Sequence, residues 1–135
     1  MTPRYKYDTV LLIDDNDLDN FINEKMIESL HFSKNITISM NGEKALTILK
    51  TLISEGGTSE KGYPDVIFVD LNMPIMNGFE FIERFKKLDD QKLTQCKLVI
   101  LTSSIQNNDR VKAEQLDRNI VFANKPLTNE LLNSL

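Results

Sequence analysis

The apolar residues of this chain fall into two rhythms. Val10-Leu11-Leu12-Ile13, Val66-Ile67-Phe68-Val69 and Leu98-Val99-Ile100-Leu101 are unbroken runs, the pattern of strands buried on both faces. Each run stops on polar residues: Asp14-Asp15, Asp70 and Thr102. Two weaker strands accompany them. Ile36-Thr37-Ile38-Ser39-Met40 alternates apolar and polar positions like a half-exposed edge strand. Ile120-Val121-Phe122-Ala123 is short and runs into Asn124-Lys125-Pro126.

The segments between carry helical spacing. After a cap at Asn16 or Asp17, residues Leu18, Phe21, Ile22, Met26, Ile27 and Leu30 predict a helix with a wide apolar face. Asn41-Gly42 breaks the chain before a second helix built on Ala45, Leu46, Leu49, Leu52 and Ile53. Ser54 to Gly62 reads as a surface loop. Beyond Asp70, Pro74 and Asn77-Gly78 rule out a continuing strand, and Phe81, Ile82, Phe85 and Leu88 mark a third helix. A weaker helix runs from about Asp109 to Leu116, with only Val111, Ala113 and Leu116 for an inner face. Thr128 caps a last helix carrying Leu131, Leu132 and Leu135.

Five strands alternating with five helices imply right-handed βαβ units and a parallel sheet covered on both faces. With the unbroken runs at the centre and the weaker strands at the edges, the expected architecture is a doubly wound α/β fold of strand order 2-1-3-4-5. At 135 residues, with no internal repeat, residues 1–135 read as one domain.

Composition narrows the partners. A net charge of −4 argues against nucleic acid or an anionic membrane surface as a partner. No apolar run reaches the ~20 residues of a membrane span, and no signal-peptide core follows the N-terminus, so the expected location is cytoplasmic. The single cysteine, Cys96, excludes an internal disulfide and a cysteine zinc site and reads as a packing residue. His31, near the end of the first helix, reads as a complement to the helix dipole.

Parallel strands all end at one edge, so Asp14, Asp15, Asp70, Thr102 and Lys125 should gather at a single rim. Each has an ordinary role when taken alone, as a helix cap, a turn residue or a solvated charge. Their joint placement, at the ends of different strands, is what points to chemistry. Two carboxylates ~4 Å apart repel by roughly 4 kcal/mol at an effective dielectric near 20, which calls for protons or a cation. Hard oxygen ligands favour Mg2+, which keeps coordination positions open to a phosphoryl oxygen. The Thr102 hydroxyl and Lys125 ammonium could bind the other phosphoryl oxygens and spread the transition-state charge.

Asp14-Asp15, Asp70-x-Asn72-Met73-Pro74 with Gly78, Thr102 and Lys125-Pro126 together resemble the signature of the response regulator receiver domain, in its single-domain chemotaxis-like form. The likeness covers essentially the whole chain and implies the CheY-like, flavodoxin-type (βα)5 fold. It implies that Asp70 accepts a phosphoryl group from a histidine kinase or histidine phosphotransfer protein. Asp15, Asp70 and the backbone carbonyl of Asn72 would bind Mg2+ directly and Asp14 through water, while Thr102 and Lys125 bind the phosphoryl oxygens. Phe122 falls on the aromatic switch position, and the Lys125-Pro126 peptide is expected to be cis. Thr102 drawn toward the phosphoryl group would open space into which Phe122 turns, with the weakly anchored 109–116 helix shifting. Asn72 and Ser104 flank the site and should influence how fast water removes the phosphoryl group. Output then passes to a downstream protein from that helix, the last strand and the last helix, the domain being a monomer or a weak, phosphorylation-dependent dimer. Phe122 in place of tyrosine lacks a hydroxyl at this surface, and the last helix has room for only about two turns.

The runner-up is a Mg2+-dependent phosphohydrolase working through an aspartyl phosphate, but such enzymes carry Asp-x-Asp after the first strand and a cap insertion. Here the second neighbour of the candidate nucleophile is Asn72, on the third strand. A degenerate receiver that only docks should have lost an acidic, Thr or Lys position, and none is lost. The acidic, glycine-free loop Asp14-Asp15-Asn16-Asp17 would repel a flavin phosphate, against a flavodoxin-like electron carrier.

Overall fold

A computed structural model describes residues 4–56, 62–103 and 105–135. The stretch at 57–61, the first three residues and Ser104 lie outside the described residues, and with them part of the predicted Ser54–Gly62 loop and Ser104's place beside the site. In chain order the elements are β1 (Tyr7–Ile13), α1 (Asp17–Ser29), β2 (Ser33–Ser39), α2 (Gly42–Ser54), β3 (Val66–Asp70) and α3 (Gly78–Lys87), followed by α4 (Gln91–Thr94), β4 (Lys97–Thr102), α5 (Asn107–Leu116), β5 (Val121–Asn124) and α6 (Asn129–Ser134). The five strands are parallel in the order β2-β1-β3-β4-β5, as the alternation predicts.

The three unbroken runs form the central strands because only continuous apolar sequence tolerates cover on both faces. Val10 to Ile13, all of β3 and Leu98 to Thr102 are buried. Alternate side chains feed two cores. One packs Leu11, Ile13, Ile67, Val69 and Ile100 against α2 and α3, and the other packs Val10, Leu12, Phe68, Val99 and Leu101 against Ile27 of α1 and Leu132 of α6.

Two expectations need correction. A sixth helix, α4, adds a turn between α3 and β4. Asp90 caps it by accepting from the Lys92 and Leu93 N–H groups, and Leu93 is buried beneath it; four residues are too few for a periodic signal. The apolar face of α1 is also only partly inward. Leu18, Phe21 and Ile22 are 64%, 57% and 39% exposed, while Asn20, Asn23 and Ile27 point in. The reason is polar accounting: the Asn20 amide donates to the Asp14 carbonyl, and the Asn23 side chain accepts from the Leu127 N–H, satisfying buried backbone at the strand ends. Periodicity finds the stripe but not which part the sheet covers.

His31 follows α1 in the left-handed region, φ 50°, and its N–H bonds the Glu28 carbonyl, so it closes the helix by its backbone. Cys96 is half-buried against the core under α2 and α3, and desolvation pushes its thiol up to about 12, so it stays protonated at neutral pH. Among the described residues no helix is long and apolar enough to cross a membrane.

Candidate functional site

The carboxyl ends of β1, β3, β4 and β5 supply the predicted residues. Register fixes their relation: Asp70 pairs with Leu101 and Thr102 with Asn124, so Thr102 and Lys125 each lie one step past a ladder partner. One carboxylate oxygen each from Asp14, Asp15 and Asp70 lies within 4.8 Å of the others. Asp14 and Asp70 are buried and Asp15 is exposed. Lys125 reaches the same rim, 2.6 Å from Asp14 and 3.2 Å from Asp70. Thr102 is fully buried, and its carbonyl accepts the Lys125 N–H at 2.9 Å, which ties the lysine to β4. The Lys125-Pro126 peptide is cis.

One ammonium faces an excess of carboxylates, and the titration behaviour follows from that. Burial raises the Asp70 carboxyl above its ordinary value, the Asp14 charge adds to the rise, and Lys125 and the Asn72 N–H oppose it. Burial likewise raises Asp14 against the pull of Lys125 and the Asn16 N–H. Burial alone would lower Lys125, but the carboxylates bonded to it prevail and hold it charged. The rim therefore carries uncompensated negative charge that a hard divalent cation can relieve, and three oxygens this close suit Mg2+.

The loop from Leu71 to Asn77 forms one wall. Leu71, Met73 and Met76 anchor it in the core. The Gly78 N–H bonds the Leu71 carbonyl at 2.9 Å, drawing the start of α3 against the end of β3. A Cβ at Gly78 would stand 2.8 Å from the Asp70 carbonyl oxygen, so only glycine fits there. Asn77 and Glu80 form a capping box that fixes the helix start. Ile75, 93% exposed at φ 70°, holds a left-handed conformation that is strained for a β-branched residue.

Phe122 pairs with Ile100 across β4 and β5 and so shares a sheet face with Thr102, two residues beyond Ile100. It packs partly buried against the α2–α3 core, with the Arg110 guanidinium 5.8 Å from its ring centroid.

The sequence profile described as "Response regulator receiver domain" matches residues 10–135. The chain belongs to that family. A crystal structure of a two component response regulator from Cytophaga hutchinsonii is similar at 34% identity and TM-score 0.83, covering 94% of this chain and 92% of that one. A protein-glutamate methylesterase/protein-glutamine glutaminase of Treponema pallidum is 33% identical over 90% of this chain but only 27% of its own length. The probable transcriptional regulator ycf29 of Porphyra purpurea is 29% identical over 96% of this chain and 54% of itself. The receiver domain thus spans about half or less of these two curated relatives, and the likeness to the methylesterase extends to a receiver part only. Receiver domains are regulatory modules of two-component systems and bind Mg2+ at an acidic pocket, which is what the aspartate cluster here offers.

One side chain at this rim was not foreseen from the sequence. Asp19, in the first turn of α1, accepts from Lys125 at 2.8 Å. The only signal was its place four residues after Asp15, one helical turn on, and an acid there also reads as a dipole complement. Asn20 and Asn23, which brace the rim from α1, were hidden for the same reason: nothing in a periodic pattern distinguishes an inward amide from an outward one.

Proposed function

We propose that this receiver domain carries signals by accepting a phosphoryl group on Asp70 from a histidine kinase or histidine phosphotransfer protein. The observation that carries the reading is the shared rim: a buried Asp70 carboxylate between further aspartates and the Lys125 ammonium. An Asp70 oxygen attacks phosphorus and forms the new O–P bond. The bond from phosphorus to the donor imidazole nitrogen breaks, and its electron pair stays on that nitrogen. Lys125 and the Thr102 hydroxyl stabilise the charge on the phosphoryl oxygens. Asp14, Asp15, Asp70 and the backbone carbonyl of Asn72 would hold Mg2+. When bound, that ion offsets carboxylate charge and polarises the phosphoryl group. The exposed Leu18, Phe21 and Ile22, on the helix that leaves this rim, give a donor protein an apolar surface to seat against.

The phosphoryl group adds up to two negative charges and three acceptors. Thr102 moves toward it, and Phe122, on the same sheet face, turns into the space released. The α5 helix follows, and the surface of α5, β5 and α6 changes for a downstream protein. The reading implies a cytoplasmic regulatory domain, monomeric or weakly dimeric when phosphorylated, without nucleic acid or membrane as partner. Hydrogen exchange with and without acetyl phosphate and Mg2+ tests the switch. Exchange in α5 and β5 should change in wild type and not in Asp70→Asn; identical responses overturn it.

A further inference from the structure

Lys125 is held by a carboxylate that the metal cluster does not contain. An ammonium has three N–H donors, and here they face Asp14 at 2.6 Å, Asp19 at 2.8 Å and Asp70 at 3.2 Å. Asp14 and Asp70 belong to the group able to hold a cation, and Asp19 stands outside it. Its side chain is also the most accessible of the three, 34% exposed against 6% and 7%. A phosphoryl oxygen can reach Lys125 only by displacing one of these bonds. Asp14 and Asp70 are fixed by burial, and Asp14 also accepts from the Asn16 N–H. Asp19 sits on an independent element, tied by its own backbone N–H to the Asn16 cap at 2.9 Å.

We infer that Asp19 is a positioning residue for Lys125: it latches the ammonium against α1 and competes with the incoming phosphoryl group for it. The inference deepens the reading of Asp70 as phosphoacceptor and rests on it. It names what sets the ease with which Lys125 is released to the phosphoryl oxygens. Releasing the latch frees one N–H and removes a negative charge from the path of an anionic donor, so both effects favour uptake. A first-turn acid also complements the helix N-terminus, but Asp17 shares that role and is exposed, outside the described Lys125 ion pairs.

The full chain is incubated with Mg2+ and acetyl phosphate, and intact mass is followed in time. Asp70 gains the phosphoryl group as acetate leaves with the bridging oxygen. Asp19→Asn should take it up about two- to fivefold faster than wild type, the scale of a partly exposed ion pair. Asp19→Glu, which keeps the carboxylate, should restore the wild-type rate, and Asp17→Asn should leave that rate unchanged. If Asp19→Asn melts below wild type, Asp19→Ser carries the same expectation. An Asp19→Asn rate equal to or below wild type overturns the latch, and so does an equal acceleration by Asp17→Asn. Failure of wild type itself to label overturns the phosphoacceptor reading with it, and is visible without any Asp19 variant.

Discussion

Helices α3 and α5 have the same length, lie on the same face of the sheet, and are held in opposite ways. In α3, Gly78, Phe79, Phe81, Ile82 and Phe85 are buried and a capping box closes the start. In α5, Ala113 alone is buried among the described residues, and Gln106 makes no side-chain cap bond. What secures α5 is charge at its periphery. Lys86 of α3 pairs with Asp117 at 2.8 Å, Lys112 lies over the Phe79 ring at 4.8 Å, and Arg110 over Phe122 at 5.8 Å. Apolar burial is short-ranged and geometrically exacting, whereas such partly exposed contacts are weak and reform easily. The fold thus joins the loop after Asp70 to a firmly packed helix and leaves β5 beside a loosely packed one, the contrast that the proposed switch draws on.

Substitutions in the two helices should separate accordingly. Phe81→Ala should destabilise by about 3–5 kcal/mol in a denaturant titration, a large share of a typical domain's stability. Gly78→Ala pushes a Cβ into the Asp70 carbonyl; a loss of about 1–3 kcal/mol is expected, together with slower labelling from acetyl phosphate. On the α5 side, Lys86→Ala should cost at most about 1 kcal/mol while raising hydrogen exchange in α5 and leaving α3 unchanged. Lys86 first, then the Asn119 N–H, holds the Asp117 carboxyl below its ordinary value. That contribution is therefore present above the unfolded carboxylate pKa and is lost as pH falls through the lower folded value. A melting series from neutral to acid pH should show the gap between wild type and Lys86→Ala closing. Val111→Asn, at a residue 54% exposed, should stay within about ±0.5 kcal/mol. A loss there as large as that of Phe81→Ala would erase the contrast.

The weakness of α5 was legible in the sequence, because Val111, Ala113 and Leu116 are too few to make a face, and the structure buries still less of it. The sheet order and the placement of Asp14, Asp70 and Thr102 at strand ends were legible for a related reason: an unbroken apolar run that stops on a polar residue marks both a central strand and what stands at its mouth. Asp19 and the inward Asn20 and Asn23 were not, because which side of α1 faces the rim is decided by the backbone groups it must satisfy, and these belong to distant segments. The four-residue α4 left no periodic trace, since one turn shows no repeat.

The proposed signalling stands or falls on phosphoryl transfer to Asp70. Intact mass after incubation with Mg2+ and acetyl phosphate, followed by peptide mapping, tests it most directly. One phosphoryl group is expected on wild type, mapped to the peptide containing Asp70, and none on Asp70→Ala. Unlabelled wild type, or Asp70→Ala labelled to the same extent, would contradict it.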